Sequence, residues 1–319
     1  MFVITQLIGL YVTNVDIFNK TVEIDGEFVL LTNPILSALE PPEIQQESDF
    51  APYLGSMVFA FIIAIVLLFL LTKFKIDFII KIWFFSVVVI ALFITFNAIF
   101  QNFINSIYFW IPILVISLVL GYIKIFKPHF IIHNLTELLI YPGIATIFIP
   151  ILSFWSIIIL LIMISIYDIW AVWHSGIMQK MAKYQMNHLK VFSGFFVPYI
   201  SKSLRMKLKK MKKSKSKNRK IKVNLAILGG GDVIFPIITA GVMMHTAKIG
   251  GFPFLLSRFV NPLFGIPGLF LSLSVILGAT LGLGLLFMFS EKKKFYPAMP
   301  FITGGIFLGM ILSYLILSL

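Results

Sequence analysis

Apolar runs of about 20 residues recur along most of this chain, at roughly 52–72, 78–100, 104–123, 131–149, 153–173, 223–246, 266–289 and 297–318. Each is long enough to cross a hydrocarbon core about 30 Å thick. No water satisfies the backbone inside that core, so only helices or a closed barrel can span it. Barrel strands alternate lipid-facing and lumen-facing residues over about 10 positions, whereas these runs are longer and continuously apolar. The expected fold class is therefore all-α, a polytopic bundle of membrane helices. Composition agrees, because only 12% of the 319 residues are charged, about half the share in a soluble domain. The absence of cysteine removes disulfides, thiol nucleophiles and thiolate-held metals from consideration.

Met1–Val12 is apolar but too short to span alone, and is read as a short or truncated first helix that brings the expected crossings to nine. It has neither a basic leading region nor a small-residue cleavage site, so it does not read as a cleavable signal peptide. Thr13–Asp49 is polar and acidic, with Asp16, Glu23, Asp25, Glu27, Glu40, Glu43, Glu47 and Asp49 set against Lys20. Basic residues follow the second, fourth, sixth and eighth helices: Lys73 and Lys75, Lys124 and Lys127, the segment His174–Lys222, and Lys292–Lys294. The alternate loops are acidic, uncharged or weakly basic, with Lys248 and Arg258. Because Lys and Arg collect in cytoplasmic loops, this pattern predicts a multi-pass cell-membrane protein with a cytoplasmic amino terminus and an outer carboxyl terminus. A single membrane domain is expected: 1–173 carries helices one to six, 174–222 a basic cytoplasmic loop, and 223–319 helices seven to nine. Fifteen of the 26 Lys and Arg fall between Lys180 and Lys222, where no acidic residue occurs. The formal charge of +13 is thus read as a topology signal and a contact for anionic lipid, not as a nucleic-acid footprint. The sharper alternative for that loop is an autoproteolytic or substrate-gating segment.

Two carboxyls lie deep in apolar runs. Asp168 stands in Ser165-Ile166-Tyr167-Asp168-Ile169-Trp170, and Asp232 follows Gly229-Gly230-Gly231. With the helix ends placed as above, Asp168 is about six residues before its helix stops and Asp232 about nine after its helix starts, depths of roughly 9 and 14 Å. Antiparallel neighbours would bring such carboxyls face to face. A charged Asp at mid-membrane costs at least about 2.5–3.5 kcal/mol, so it is a functional candidate by default. Two adjacent carboxyls cannot both ionise cheaply and would share one proton. One can then take a proton from an attacking water while the other donates to the peptide oxygen. That is aspartyl-protease chemistry, and it needs no cofactor. The same residues alone also fit a proton- or cation-conducting transporter or channel, or a non-catalytic binder of membrane helices.

Three motifs fall in order on successive landmarks: Tyr167-Asp168, Gly229-Gly230-Gly231-Asp232 and Pro297-Ala298-Met299. Together they resemble the presenilin and signal-peptide-peptidase family of intramembrane aspartyl proteases, which carries YD on its sixth helix, GxGD on its seventh and PAL at the start of its ninth. The motifs cover roughly residues 150–300; the remainder is similar in helix count. The cytoplasmic amino terminus resembles presenilin, and the lack of large soluble regions resembles the compact archaeal homologues. The third motif departs from PAL, with Met299 in place of Leu and Pro300 next, an exchange that nearly conserves volume. The resemblance implies that Asp168 and Asp232 form a catalytic dyad. It implies that Gly229 and Gly231 allow close backbone approach and a path for substrate, that Pro297, Ala298 and Met299 hold an unwound substrate, and that Tyr167 hydrogen-bonds near the dyad. The implied substrates are transmembrane helices of membrane proteins or remnant signal peptides. Opening such a helix frees backbone groups that pairing as a strand would satisfy. Taken singly, the glycines are as readily helix-packing residues, Pro297 a helix start, and Tyr167 a membrane-interface residue.

His129, His133 and Glu137 recur at i, i+4 and i+8, a spacing that can seat a metal. Their place at a membrane boundary, where polar residues are expected anyway, assigns them no metal. Neither HExxH nor GxSxG occurs. Asn19-Lys20-Thr21 forms a glycosylation sequon on the expected outer side.

Overall fold

The structure, a computed structural model, describes residues 1–15, 17–24, 27–32, 36–40, 50–74, 76–101, 110–127, 129–175, 192–199, 224–250, 252, 265–290 and 296–318. Among them are nine α-helices: α1 Phe2–Asn14, α2 Phe50–Lys73, α3 Asp77–Phe100, α4 Trp110–Phe126, α5 Phe130–Phe148, α6 Phe154–Trp170, α7 Gly230–Lys248, α8 Leu269–Phe289 and α9 Met299–Ser318. Six of these (α2, α3, α5, α6, α8 and α9) are long and apolar enough to cross a membrane; α1 and α4 are shorter apolar helices. Phe59, Ile62, Trp83, Leu281 and Met288 are exposed, as apolar side chains turned to lipid would be. Asp16, Asp25, Glu43, Glu47, Asp49, Lys75, Arg258, Lys292–Lys294 and the stretches 176–191 and 200–223 of the basic segment lie outside the described residues.

Two small antiparallel sheets accompany the helices. In the first, β1 (Asn19–Ile24) pairs with β2 (Glu27–Thr32), so the sequon's Asn19 opens a strand. In the second, β3 (Gly194–Tyr199) pairs with β4 (Asn224–Gly229), Gly194 opposite Gly229. This corrects the expected start of the seventh helix at 223. The apolar residues 224–229 are a strand, because their backbone pairs with β3 and the glycines that follow are poor helix formers. Part of the expected loop 174–222 is therefore ordered as β3.

The helices around α7 meet at small residues. On α8 and α9, Gly278 packs against the backbone of Gly305, Gly282 against that of Phe301, and Gly309 against that of Ser274. Small residues four apart let backbones touch where lipid supplies no hydrophobic drive for association. On the opposite flank, Gly143 of α5 abuts the Ala91 carbonyl of α3, and Thr95 donates to the Leu139 carbonyl at 2.6 Å, next to Pro142. Although short, α1 is a full member of the bundle. Gln6 is buried and donates through Nε2 to the Val233 carbonyl at 2.8 Å, and Gly9 lies against Ile237.

One basic residue read as a loop marker belongs to the interior. Lys124, near the end of α4, is buried and ion-paired with buried Glu137 of α5. An unpaired charge there would be prohibitive, whereas a matched pair is tolerated.

Candidate active site

Ser153 caps α6 by accepting the Ser156 N–H at 3.2 Å, the usual N-cap arrangement. The helix then runs through an apolar stretch to Trp170 and closes in a π-helical turn, Ala171–Ser175. Asp168 is third from the α6 end and 7% exposed. A carboxyl at a helix C-terminus faces the negative end of the helix dipole, so it needs donors from elsewhere. They come from the start of α9. Asp168 Oδ2 accepts the Met299 N–H at 3.0 Å, and the Ala298 N–H also bonds the carboxyl. The first N–H groups of a helix have no partner within it, and Pro300 contributes none, which leaves the Ala298 and Met299 amides free for Asp168. Pro297, Ala298 and Met299 are all buried. A second tie lies one turn earlier: Ser165 Oγ donates to Thr303 Oγ1 at 2.8 Å in the buried α6–α9 seam.

Asp232 is the third residue of α7, where an acidic side chain suits the positive helix end. It reaches back to the backbone N–H of Gly229, which caps the helix, as the third-turn-position partner of a capping box does. The two aspartates are close enough for their charges to interact. Each is the third residue from a helix end, because β4 runs directly into α7 and a π-helical turn follows α6.

The three glycines differ in their surroundings. A Cβ on Gly229 would lie 3.1 Å from Asp232 Oδ2, so a side chain there would crowd the carboxyl. A Cβ on Gly230 would meet Ser193 Oγ at 2.8 Å and Tyr141 Oη at 2.9 Å. At Gly231 the nearest atom would be Phe235 Cε2 at 3.8 Å, ordinary contact, and the residue is exposed. Close approach is thus a property of Gly229 and Gly230, while Gly231 lies open. Tyr167 is 48% exposed with its ring 6.3 Å from that of Trp170, and among the described residues no hydrogen bond joins its hydroxyl to either carboxyl.

The residues weighed for a metal have other partners. His133 Nε2 is 2.9 Å from the Gly194 carbonyl, and its ring lies 4.6 Å from that of Phe196. Glu137 is held by Lys124 and is 3.7 Å from His133 Nε2, while His129 precedes α5 at the surface. Asn134, beside His133, clamps β3: its Nδ2 donates to the Phe196 carbonyl at 2.9 Å and its Oδ1 accepts the Phe196 N–H at 3.0 Å. In effect α5 holds β3, β3 holds β4, and β4 leads straight into Asp232. Sequence reasoning missed Ser165, Thr303, Asn134, Tyr141 and Gly230. Only Gly230 had a local signal, as one of three consecutive glycines.

Residues 28–319 match the family model described as signal-peptide peptidase, presenilin aspartyl protease. Two solved structures of a presenilin family intramembrane aspartate protease are similar in fold. The one in space group C222 has 16% sequence identity and a TM-score of 0.58, over 99% of this chain and 96% of that one. The one in space group P2 has 14% identity and a TM-score of 0.51, over 99% and 95% of the respective chains. No curated protein matches the chain in sequence.

Proposed function

The chain belongs to the signal-peptide peptidase and presenilin family of aspartyl proteases, and from that membership we propose that it is an intramembrane endopeptidase whose catalytic pair is Asp168 and Asp232. The observation that carries this assignment is the pairing of Asp168 with the Met299 amide while its charge interacts with Asp232. Helix ends of three different elements converge on two carboxyls, which no packing requirement of a membrane bundle asks for.

One carboxyl, ionised, accepts a proton from water as the water oxygen bonds to the peptide carbon. The other, protonated, donates to the carbonyl oxygen. The tetrahedral diol then collapses, the C–N bond breaks, and the proton taken from water passes to the leaving nitrogen. The site supplies this chemistry with its own residues. Its substrates are transmembrane helices of membrane proteins or remnant signal peptides. An unwound segment gains backbone partners by adding as a strand to the β3–β4 pair, and this supports a substrate path over exposed Gly231. The amino terminus and the 174–222 segment are cytoplasmic in this reading, and the basic stretch contacts anionic lipid.

The test is cleavage of a single-span reporter by the purified, reconstituted protein, with products mapped by mass spectrometry. Cuts within the span that vanish in both Asp168→Ala and Asp232→Ala are expected. Full activity in either variant refutes the dyad, and carboxyl-dependent ion flux without hydrolysis would indicate a conductance instead.

A further inference from the structure

Tyr141 stands beside Gly230, at the junction of β4 with α7 that carries Asp232, and the chemistry above gives it no task. Its side chain is 2% exposed and meets Phe195 of β3 edge-on, ring centroids 5.7 Å apart. Its hydroxyl and Ser193 Oγ together fill the space beside Gly230, leaving none for a Cβ. The Gly230 N–H is in turn bonded to the Ser193 carbonyl at 3.3 Å. On its other side the hydroxyl turns toward Glu137, one helical turn back along α5. Glu137 Oε1 is engaged by Lys124. Among the described residues, Glu137 Oε2 and Tyr141 Oη complete no hydrogen bond, though both are buried. Buried polar atoms in that condition are uncommon and call for an explanation.

Three consecutive glycines form the most permissive backbone a chain can have, yet from Gly229–Gly231 a catalytic carboxyl must be aimed. Something outside that strand-to-helix junction has to limit it. We infer that Tyr141 is a positioning residue for Asp232: its hydroxyl, oriented by the Lys124-anchored Glu137, walls in Gly230 and so fixes the turn from which the carboxyl projects. The hydroxyl is complementary to both neighbours, able to donate to Glu137 Oε2 and to accept from Ser193. The inference rests on the dyad assignment above.

A role confined to packing predicts that Tyr141→Phe is nearly silent, because the ring against Phe195 is retained and only an incompletely bonded hydroxyl is removed. Positioning predicts a different result. Misaiming a catalytic group by about 1 Å can cost roughly 100-fold, so a looser glycine turn should lower kcat by about 10-fold or more. Residues that hold substrate are untouched, so KM should stay within about twofold. The experiment uses the full chain in lipid with the single-span reporter, comparing the unaltered protein, Y141F, E137Q, the double variant and D232A. It reads kcat, KM, thermal midpoint and affinity for a transition-state-mimicking aspartyl inhibitor. The expected outcome is a kcat loss in Y141F at an unchanged thermal midpoint, weaker inhibitor binding, a similar kcat loss in E137Q beside the lower thermal midpoint that an unpaired Lys124 brings, and a double variant whose kcat is no worse than that of the poorer single one. Unaltered kcat in folded Y141F, or a change confined to KM, overturns the inference. Should Y141F fail to fold, Ser193→Ala, which removes the other polar neighbour of the hydroxyl and touches no buried charge, decides by the same kcat and KM criterion. Activity that survives in D232A sinks the dyad itself, an outcome distinct from a dead D232A beside a fully active Y141F.

Discussion

Among the described residues, Asp168 and Asp232 are served by backbone amides rather than by cationic side chains. Asp168 takes the Ala298 and Met299 N–H groups, and Asp232 takes that of Gly229. The side chains that matter around them are therefore the ones that keep those amides in place. Gly229→Ala should crowd Asp232 Oδ2, where the added Cβ would stand at 3.1 Å. A loss of kcat of roughly 10- to 100-fold with a nearly normal thermal midpoint is expected, measured on the same reporter. Thr303→Val keeps the volume of α9 but deletes the acceptor of the 2.8 Å Ser165 bond. It should cost about 1 kcal/mol of stability, together with a measurable fall in activity, and thermal unfolding in bicelles would register the first effect. The two aspartates and the Pro297–Met299 turn were legible from the sequence because each carries a local pattern. Tyr141 and Asn134 were not, because their meaning comes from β3, which reaches them only through the folded chain.

At the scale of elements, the seam between α8 and α9 controls the site from a distance. Gly278, Gly282, Gly305 and Gly309 bring the two backbones into contact, and α9 begins at the amide that bonds Asp168. Gly305→Leu should force the helices apart and withdraw that amide. A disulfide reporter can test this, since the chain contains no cysteine. Ser165→Cys with Thr303→Cys should cross-link on oxidation, because the paired oxygens are 2.8 Å apart and disulfide geometry tolerates only close Cβ atoms. Adding Gly305→Leu should abolish the cross-link along with activity; efficient cross-linking in the triple variant would show that α9 had not moved. Helix existence was readable from continuous apolar runs, but the start of α7 was not. A short apolar stretch such as Asn224–Leu228 reads equally as helix or strand, and only its partner at 194–199 decides. The first sheet did carry a local signal that was overlooked: Asp25-Gly26 between two alternating segments is a strong hairpin pattern.

For the whole molecule, the Lys124–Glu137 pair is a liability that the bundle tolerates only intact. Removing one partner leaves the other charged and buried, so Lys124→Met should destabilise by about 3–5 kcal/mol, whereas Lys124→Met with Glu137→Leu should recover most of that. Chemical or thermal unfolding of the two variants in the same lipid would separate them; equal stability would mean that the pair carries no such burden. The sequence placed Lys124 among topological markers because its position near a span end looks alike whether it faces water or a carboxylate. Only the packing of α4 on α5 distinguishes the two.

The bond from Met299 to Asp168 joins residues 131 positions apart, and this has a consequence for biosynthesis. A ribosome makes Asp168 long before the turn that completes its environment. Until α9 has been threaded into the bilayer and has docked on α8, the carboxyl lacks its amides, and the nascent chain has no finished blade. Proteolytic competence arrives as one of the last events of assembly, a timing set by chain order alone and requiring no separate inhibitor.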